Sequence, residues 1–210
     1  MANFQYLVGD TVAKKCWMVD PAWEAEALLN EATAEGYSLE GILITHAHFD
    51  HTNAVGKILE RKDVPVYLQK RELEFMDKGA PRELFPDIPR SSLKPVSPGD
   101  TLSLGGAVLT FLHTPGHTPG SQCFLIEDRM VSGDTLFLNG CGRVDLPGSD
   151  PKEMFDTLNG SIARLPSETV VLPGHNYSSQ GTTARLEEVR KGNRFLQVHS
   201  LNRFLEMMGL

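Results

Sequence analysis

Cysteine is scarce in this chain of 210 residues: there are three, Cys16, Cys123 and Cys141, and they lie far apart. Their number is odd, and no two of them form a C-x-x-C pair. These features argue against a disulfide framework and against a structural zinc ribbon. Isolated cysteines are typical of proteins from a reducing compartment, so we expect a cytoplasmic protein.

Long apolar runs and basic clusters are also missing. No apolar stretch approaches the ~20 residues that span a bilayer, and residues 1–6 lack the basic and apolar regions of a signal peptide. We therefore expect no membrane association. The net charge is −7 with no basic run, so nucleic acid is not an expected partner. With 40% hydrophobic residues, the chain can bury a substantial core, and we predict a single domain over residues 1–210.

Ligand-type side chains are concentrated instead in residues 45–51, Thr-His-Ala-His-Phe-Asp-His. Three imidazoles, those of His46, His48 and His51, and the Asp50 carboxylate fall directly after an apolar run at residues 41–44. Histidine is the commonest metal-binding side chain. A divalent cation also offsets the cost of burying an ionised carboxylate. The stretch therefore predicts a metal site.

The spacing within this stretch indicates more than one ion. In an extended segment, side chains two apart point the same way, so His46 and His48 are predicted to bind one ion, with Asp50 continuing that side. His51 is predicted to point elsewhere, because a helix is predicted to begin near residues 52–53. Ligands offered in two directions suit two ions better than one. The alternative is a polar loop with surface histidines. It does not explain why histidines occupy every second position directly after a buried strand.

The rest of the chain alternates predicted strands and helices. Apolar patterns predict strands over residues 4–8, 15–19, 43–45, 65–68, 107–112, 121–126, 130–132 and 169–172. Helical spacing and capping residues predict helices from residues 20–21, 52–53, 70 and 150, and near 184–191 and 200–208. Residues 79–98, rich in proline and arginine, are predicted to form a surface excursion beside the site. This order predicts a mixed α/β layered domain.

Three later segments share one local pattern, in which a strand end is followed by a glycine-containing turn and a ligand-type side chain. They carry His117, Asp134 and His175, after the predicted strands 107–112, 130–132 and 169–172. Each segment alone is weak evidence, but together with residues 45–51 they favour one shared centre. His113 and His199 fall outside the pattern and are predicted to be structural or surface residues.

Five motifs occur in a fixed order: Thr-His-Ala-His-Phe-Asp-His, Thr-Pro-Gly-His-Thr, Ser-Gly-Asp-Thr-Leu-Phe, Gly-Cys-Gly-Arg and Pro-Gly-His-Asn-Tyr. With them, the sequence resembles the metallo-β-lactamase superfamily, in its glyoxalase II-like branch, over residues 3–180. The resemblance implies an αββα sandwich, with two packed sheets and helices outside. It also implies two divalent metal ions, zinc first, although iron and manganese accept the same ligands. The implied ligands are His46, His48 and His117 on one ion, Asp50, His51 and His175 on the other, and Asp134 between them.

The same resemblance implies an enzyme that hydrolyses a small ester or thioester with a hydroxide bridging the two metals. Asp50 is expected to accept the proton as the tetrahedral species collapses. Arg143 and Tyr177 match the positions at which relatives hold the thiol substrate. An anionic small-molecule thioester is therefore the expected ligand of a monomer or homodimer. The alternatives are an ion pair of Arg143 with Asp145 and core packing for Tyr177.

The resemblance departs from full-length glyoxalase II near the C-terminus. A helical domain completes the glutathione pocket in those relatives, whereas this sequence has 35 residues after His175. Another small thioester or a lactone is therefore an open alternative to a glutathione thioester.

Two other functions are open at this stage. A persulfide dioxygenase-like enzyme of the same superfamily would hold one iron with His46, His117 and Asp134, leaving positions for O₂. The bulky Phe49 favours the hydrolase, because those relatives tend to carry a small residue there. The other function is metal binding without catalysis, and the complete ligand set argues against it. Cys141, in the Gly-Cys-Gly-Arg turn, is predicted to serve packing.

Overall fold

Two β-sheets packed face to face form the centre of the protein. The structure, a computed structural model, describes residues 2–86, 88–179 and 181–210. Met1, Asp87 within the predicted excursion, and Gln180 lie outside the described residues. Among the described residues, no helix combines the length and apolar character needed to cross a bilayer.

The first sheet contains five strands. They are β1 Tyr6–Asp10, β2 Lys15–Val19, β3 Ser38–Leu43, β4 Val66–Gln69 and β5 Leu93–Val96. They lie in the order β1-β2-β3-β4-β5. The first two pair antiparallel and the remaining pairs are parallel. Because β2 and β3 are parallel neighbours, with Val19 beside Leu43, the residues that follow these strands emerge at one edge.

The second sheet contains six strands. They are β6 Thr101–Leu104, β7 Ala107–His113, β8 Gln122–Ile126, β9 Arg129–Gly133, β10 Val170–Pro173 and β11 Ala184–Arg185. They lie in the order β11-β10-β9-β8-β7-β6. All pairs are antiparallel except β9 with β10, which run parallel. The turns after β9 and β10 therefore also meet at one edge.

Helices cover the outer faces of the sheets. They are α1 Ala25–Ala34, α2 Phe49–Thr52, α3 Val55–Leu59, α4 Lys70–Asp77, α5 Pro151–Thr157, α6 Leu186–Gly192 and α7 Leu201–Met208. A π-helical turn, Leu158–Ile162, continues α5, and short 3₁₀ turns occupy Arg90–Ser92 and Arg194–Gln197. Asp150 caps α5, since its Oδ1 accepts hydrogen bonds from the N–H groups of Lys152 and Glu153.

The core follows from the alternation of side chains along buried strands. In β2, Trp17 and Val19 pack between the sheets with Phe111 and Phe124 of the second sheet. Met18, between them in sequence, points the other way and packs under the helices with Ile42. A third apolar cluster joins the second sheet to α5, α6 and α7. Four layers result, and the predicted αββα sandwich is confirmed.

Several predicted elements were wrong. The helix expected from Asp20 and Pro21 begins instead at Ala25, because Asp20 is buried and makes other hydrogen bonds. The helix expected near residue 52 begins three residues earlier, at Phe49. The excursion of residues 79–98 ends in strand β5, and it carries the buried Phe85 rather than lying wholly on the surface. Strands β6 and β11 were not predicted.

Candidate metal centre

Seven side chains from four loops meet at one end of the two sheets. The loops follow β3, β7, β9 and β10, the strand ends that the sequence marked. Three groups of ligand atoms form there, and within each group the atoms lie within 4.8 Å of one another. The groups are His46 with His48 and His117, Asp50 with His51 and His175, and His46 with His51 and Asp134. All seven predicted ligand residues belong to this cluster.

The first group combines two histidines after β3 with His117 after β7. Nδ1 of His48 lies 3.1 Å from Nε2 of His117. Nδ1 of His117 faces the backbone oxygen of Arg143 at 2.8 Å. A carbonyl oxygen can only accept a hydrogen bond, so Nδ1 carries the proton and the Nε2 lone pair of a neutral His117 faces His48. This is the tautomer that a metal ligand requires.

The imidazoles of the first group are neutral at physiological pH. Burial lowers the pKa of His46 well below its ordinary value, and the neighbouring imidazoles lower it further. Burial lowers the pKa of His48 to about 2, and burial also lowers the pKa of His117. Neutral imidazole is the form that binds metal, so no proton competes with a cation here.

The second group combines residues of helix α2 with the loop after β10. Nε2 of His51 lies 3.3 Å from Nε2 of His175. Oδ2 of Asp50 lies 3.4 Å from Nε2 of His175 and 3.9 Å from Nε2 of His51. The expectation that Asp50 continues the side of His46 and His48 was wrong, because β3 ends at Leu43 and α2 already begins at Phe49.

Asp134 lies between the two groups. Its Oδ1 is 3.4 Å from Nε2 of His51, and its Oδ2 is 3.4 Å from Nε2 of His175 and 3.7 Å from Nε2 of His117. A Cβ at Gly174 would stand 2.5 Å from Asp134 Oδ1. Only glycine therefore allows the His175 loop to approach so closely.

The charges of Asp134 and His51 depend on each other. Burial alone would raise the pKa of Asp134, but His51 and His175 hold it well below its ordinary value. Burial would likewise lower the pKa of His51, yet the carboxylates of Asp134 and Asp20 raise it well above its ordinary value. The cluster therefore contains an ionised carboxylate that attracts positive charge.

The donor set fits divalent cations. Among the described residues, four buried atoms of the cluster have no hydrogen-bond partner: His46 Nε2, His48 Nε2, His175 Nδ1 and Asp134 Oδ1. Buried polar atoms are seldom left without a partner in folded proteins. Five imidazoles and two carboxylates form a set that zinc, iron and manganese all accept, and the first and second groups share no residue.

Sequence analysis missed Asp20 as part of this site. Its Oδ1 accepts the N–H of Thr45 at 2.7 Å, and its Oδ2 accepts the Thr45 hydroxyl at 2.5 Å. The same Oδ2 lies 2.9 Å from Nδ1 of His51. A carboxylate on one ring nitrogen fixes the tautomer that leaves the other nitrogen free. The available signal was an acidic residue directly after a buried strand, although without the glycine that precedes Asp134.

Glu72 was missed as well. It is buried on α4, and its carboxylate accepts the N–H groups of Ala47 and Gly120, both at 2.8 Å. The Thr118 hydroxyl also donates to it. Burial raises the pKa of Glu72, and these three donors oppose the shift. The side chain thereby joins the loop of His46 and His48 to the loop of His117. No local sequence signal pointed to this contact.

A cavity of about 460 Å³ opens onto the cluster. Its apolar wall consists of Phe49, Leu84, Phe137, Leu146 and Tyr177. The Tyr177 ring stacks on that of His175, with centroids 4.7 Å apart and planes 7° apart. The Tyr177 side chain is exposed, so this ring is a surface of the cavity rather than part of the core.

Arg143 and Cys141 also line the cavity. The Arg143 guanidinium pairs with both oxygens of Asp145, at 2.9 and 2.8 Å. This is the ion pair that was the alternative to a substrate-binding role for Arg143. Burial raises the pKa of the Cys141 thiol to about 12, so this thiol stays protonated. His113 and His199 lie outside the cluster, and their rings contact the Pro119 carbonyl and the Asn159 amide oxygen.

A four-layer αββα sandwich with His and Asp ligands on the loops at one edge defines a class of metal-binding proteins. Residues 2–175 match the metallo-beta-lactamase superfamily, and the chain belongs to this family of enzymes.

Its relatives include several hydrolases. The probable polyketide biosynthesis zinc-dependent hydrolase BaeB of Bacillus velezensis is 28% identical over 204 residues, which cover 97% of this chain and 86% of that protein. The hydroxyacylglutathione hydrolase of Hahella chejuensis is 35% identical over 199 residues, 88% of this chain and 68% of that protein.

A solved structure of a relative that is not named as a hydrolase has the same fold. The crystal structure of ETHE1 from Myxococcus xanthus superposes with a TM-score of 0.84 at 28% identity, covering 99% of this chain and 85% of that one. The family membership is therefore clear, while its members differ in their activities.

Proposed function

We propose that this protein is a metal-dependent hydrolase of small thioesters, similar to glyoxalase II. One observation carries the proposal: two complete groups of three ligands lie side by side, and Asp134 contacts both. In this proposal, the ligands of the first ion are His46, His48 and His117. Those of the second ion are Asp50, His51 and His175, and Asp134 bridges the two.

Zinc is the proposed metal, in line with the zinc-dependent hydrolase among the relatives. Two bound divalent ions would polarise a carbonyl oxygen and lower the pKa of bound water from 15.7 to about 7, which supplies a nucleophile near neutral pH. The buried, neutral imidazoles and the ionised Asp134 would hold the cations, without competition from protons in the first group.

Asp50 is the proposed catalytic proton acceptor. Its side chain is partly accessible from the cavity, which it lines, and its Oδ2 faces His175 at 3.4 Å. A carboxylate at this point can accept the remaining proton of the attacking hydroxide as the tetrahedral species collapses and the thiolate leaves. A thiolate leaving group needs little protonation, so a thioester suits a cavity where Asp50 is the proposed proton carrier.

The proposed substrate is a small anionic thioester rather than nucleic acid or a membrane component. Two cations would outweigh the charges of Asp50 and Asp134, so the centre attracts anionic groups. Arg143 and Tyr177 are the proposed contacts for the thiol portion, Arg143 by charge and Tyr177 by its exposed ring. The apolar wall of the cavity suits the uncharged part of the substrate.

Likeness to the ETHE1 structure supports a second candidate, a persulfide dioxygenase-like enzyme with one iron. Such an enzyme would use His46, His117 and Asp134. His48, Asp50, His51 and His175 would then be supporting residues. The completeness of the second ligand group favours the hydrolase.

Metal analysis of protein purified without added metal, together with activity assays, distinguishes the two candidates. The hydrolase predicts two divalent ions per chain and hydrolysis of an acyl thioester, followed by release of the free thiol. One iron per chain and O₂ uptake with glutathione persulfide would replace it with the dioxygenase. Two ions without thioester hydrolysis would leave the metal centre standing and reject the substrate class.

A further inference from the structure

The N-terminal residues 2–4 lie along the loop that carries His175. The N–H of Phe4 donates to the Gly174 carbonyl at 2.8 Å, and the N–H of Asn176 donates to the Ala2 carbonyl at 2.7 Å. Asn3 lies between these two bonds and forms an isolated antiparallel bridge with His175. The backbone of residues 2–4 therefore supports one ligand of the second group.

The Asn3 side chain reaches the other loop of the same group. Its Nδ2 donates to the backbone oxygen of Asp50 at 2.7 Å and to Asp50 Oδ2 at 3.2 Å. Its Oδ1 accepts from Trp23 Nε1 at 3.4 Å. Because an indole N–H can only donate, the Trp23 contact turns the amide so that the NH₂ group faces Asp50.

We propose that Asn3 is a positioning residue for the second metal ion. Asp50 and His51 are supplied by helix α2, whereas His175 is 124 residues further along the chain. Residue 3 contacts both places, by its backbone at His175 and by its side chain at Asp50. The amide holds Asp50 at its main chain and at its carboxylate, which restricts rotation of the side chain and keeps Oδ2 directed at His175.

This role belongs to the second group. The described contacts of the first group are made by other side chains, since Glu72 supports the loops of His48 and His117. Removal of the Asn3 amide should therefore weaken binding of the second ion and leave binding of the first ion unchanged. The inference rests on the proposed two-metal centre, and it requires that the two affinities be measured separately.

The test is a titration of metal-free protein with zinc against a chromophoric chelator, for wild type and Asn3→Ala. Wild type should bind two zinc ions. In Asn3→Ala, affinity for the first ion should stay within about twofold of the wild-type value. Affinity for the second ion should fall about 10–100-fold, which is the loss typical when a partner of a metal ligand is removed. Trp23→Phe removes the N–H that orients the amide and should give a smaller loss at the same ion.

Asn202→Ala is the matched control. Asn202 is an exposed asparagine on α7 and belongs to none of the ligand groups. The change should leave both affinities unchanged. Equal weakening by Asn202→Ala, or an Asn3→Ala protein that binds both ions as wild type does, overturns the assignment. A wild-type protein that binds one ion rejects the proposed two-metal centre itself.

Discussion

Asp20 Oδ2 lies 2.9 Å from Nδ1 of His51, and both residues are almost completely buried. Asp20 follows β2, and its backbone has a left-handed φ of 47°. The parallel pairing of β2 with β3 brings it beside Thr45, so one carboxylate holds both the start of the histidine loop and the ring of His51.

Replacement of Asp20 should weaken metal binding without removal of a ligand. In Asp20→Ala, the Nδ1 proton of His51 loses its acceptor, so the ring is no longer fixed with Nε2 free. We expect zinc affinity of the second group and turnover to fall about 10–100-fold. Asp156→Asn, a change at an exposed carboxylate paired with Lys152, should change neither. If Asp20→Ala binds zinc with the same affinities as wild type, this role of Asp20 is contradicted.

Loss of Asp134 should affect both ions together. Its oxygens face His117 of the first group and both histidines of the second. We therefore expect Asp134→Ala protein to contain less than one ion per chain by elemental analysis. Asp145→Ala, which changes an exposed carboxylate paired with Arg143, should retain two ions per chain. One ion at full occupancy in Asp134→Ala would argue against bridging.

Removal of a proposed ligand should reduce turnover more than removal of a supporting residue does. In His48→Ala, we expect turnover of a thioester substrate to fall by more than the roughly 10–100-fold attributed to outer partners. The exposed His199, which contacts Asn159, provides the control, and His199→Ala should keep wild-type turnover. Unchanged turnover in His48→Ala would remove the proposed mechanism.

Glu72 should contribute to stability as well as to geometry. In Glu72→Gln, the side chain keeps one oxygen acceptor, while its NH₂ group faces a backbone N–H. Because hydrogen bonds to charged groups are worth about 1.5–3 kcal/mol, we expect the free energy of unfolding to fall by about 2 kcal/mol in urea denaturation. Glu74→Gln, at an exposed position of the same helix, is the control and should be neutral.

The metal-free protein should lose stability in mild acid. Burial lowers the folded-state pKa of His46, His48 and His117 below 6.5. As the pH falls through 6.5, the unfolded chain takes up protons that the folded chain does not, so the free energy of unfolding decreases. The pKa of His51 is raised, so its stabilising contribution is already complete below pH 6.5 and does not offset this loss.

Urea denaturation of chelator-treated protein at pH 6.5 and pH 5 measures this effect. The midpoint should be lower at pH 5, and the difference should shrink in His48→Ala. A midpoint that does not change between the two conditions would show that the buried imidazoles are not held neutral.

Sequence patterns predicted the layered fold and the loops that carry the ligand-type residues. Each relevant signal is local: a buried strand, a glycine turn and a ligand side chain within a few positions. The same local rule failed for Asp50, because alternation applies to extended backbone and the chain is already helical from Phe49. It failed for Asp20 because aspartate followed by proline is also the usual start of a helix.

By itself, the sequence determined the alternating order of strands and helices and which side chains are available as ligands, because spacing along a strand or turn is set by neighbouring residues. Tertiary structure alone decided how those side chains are held. Asp20 lies 31 positions from His51, and Glu72 lies 25 positions from Ala47 and 48 from Gly120. Asn3 lies 47 positions from Asp50. Contacts over such separations depend on strand pairing and helix packing.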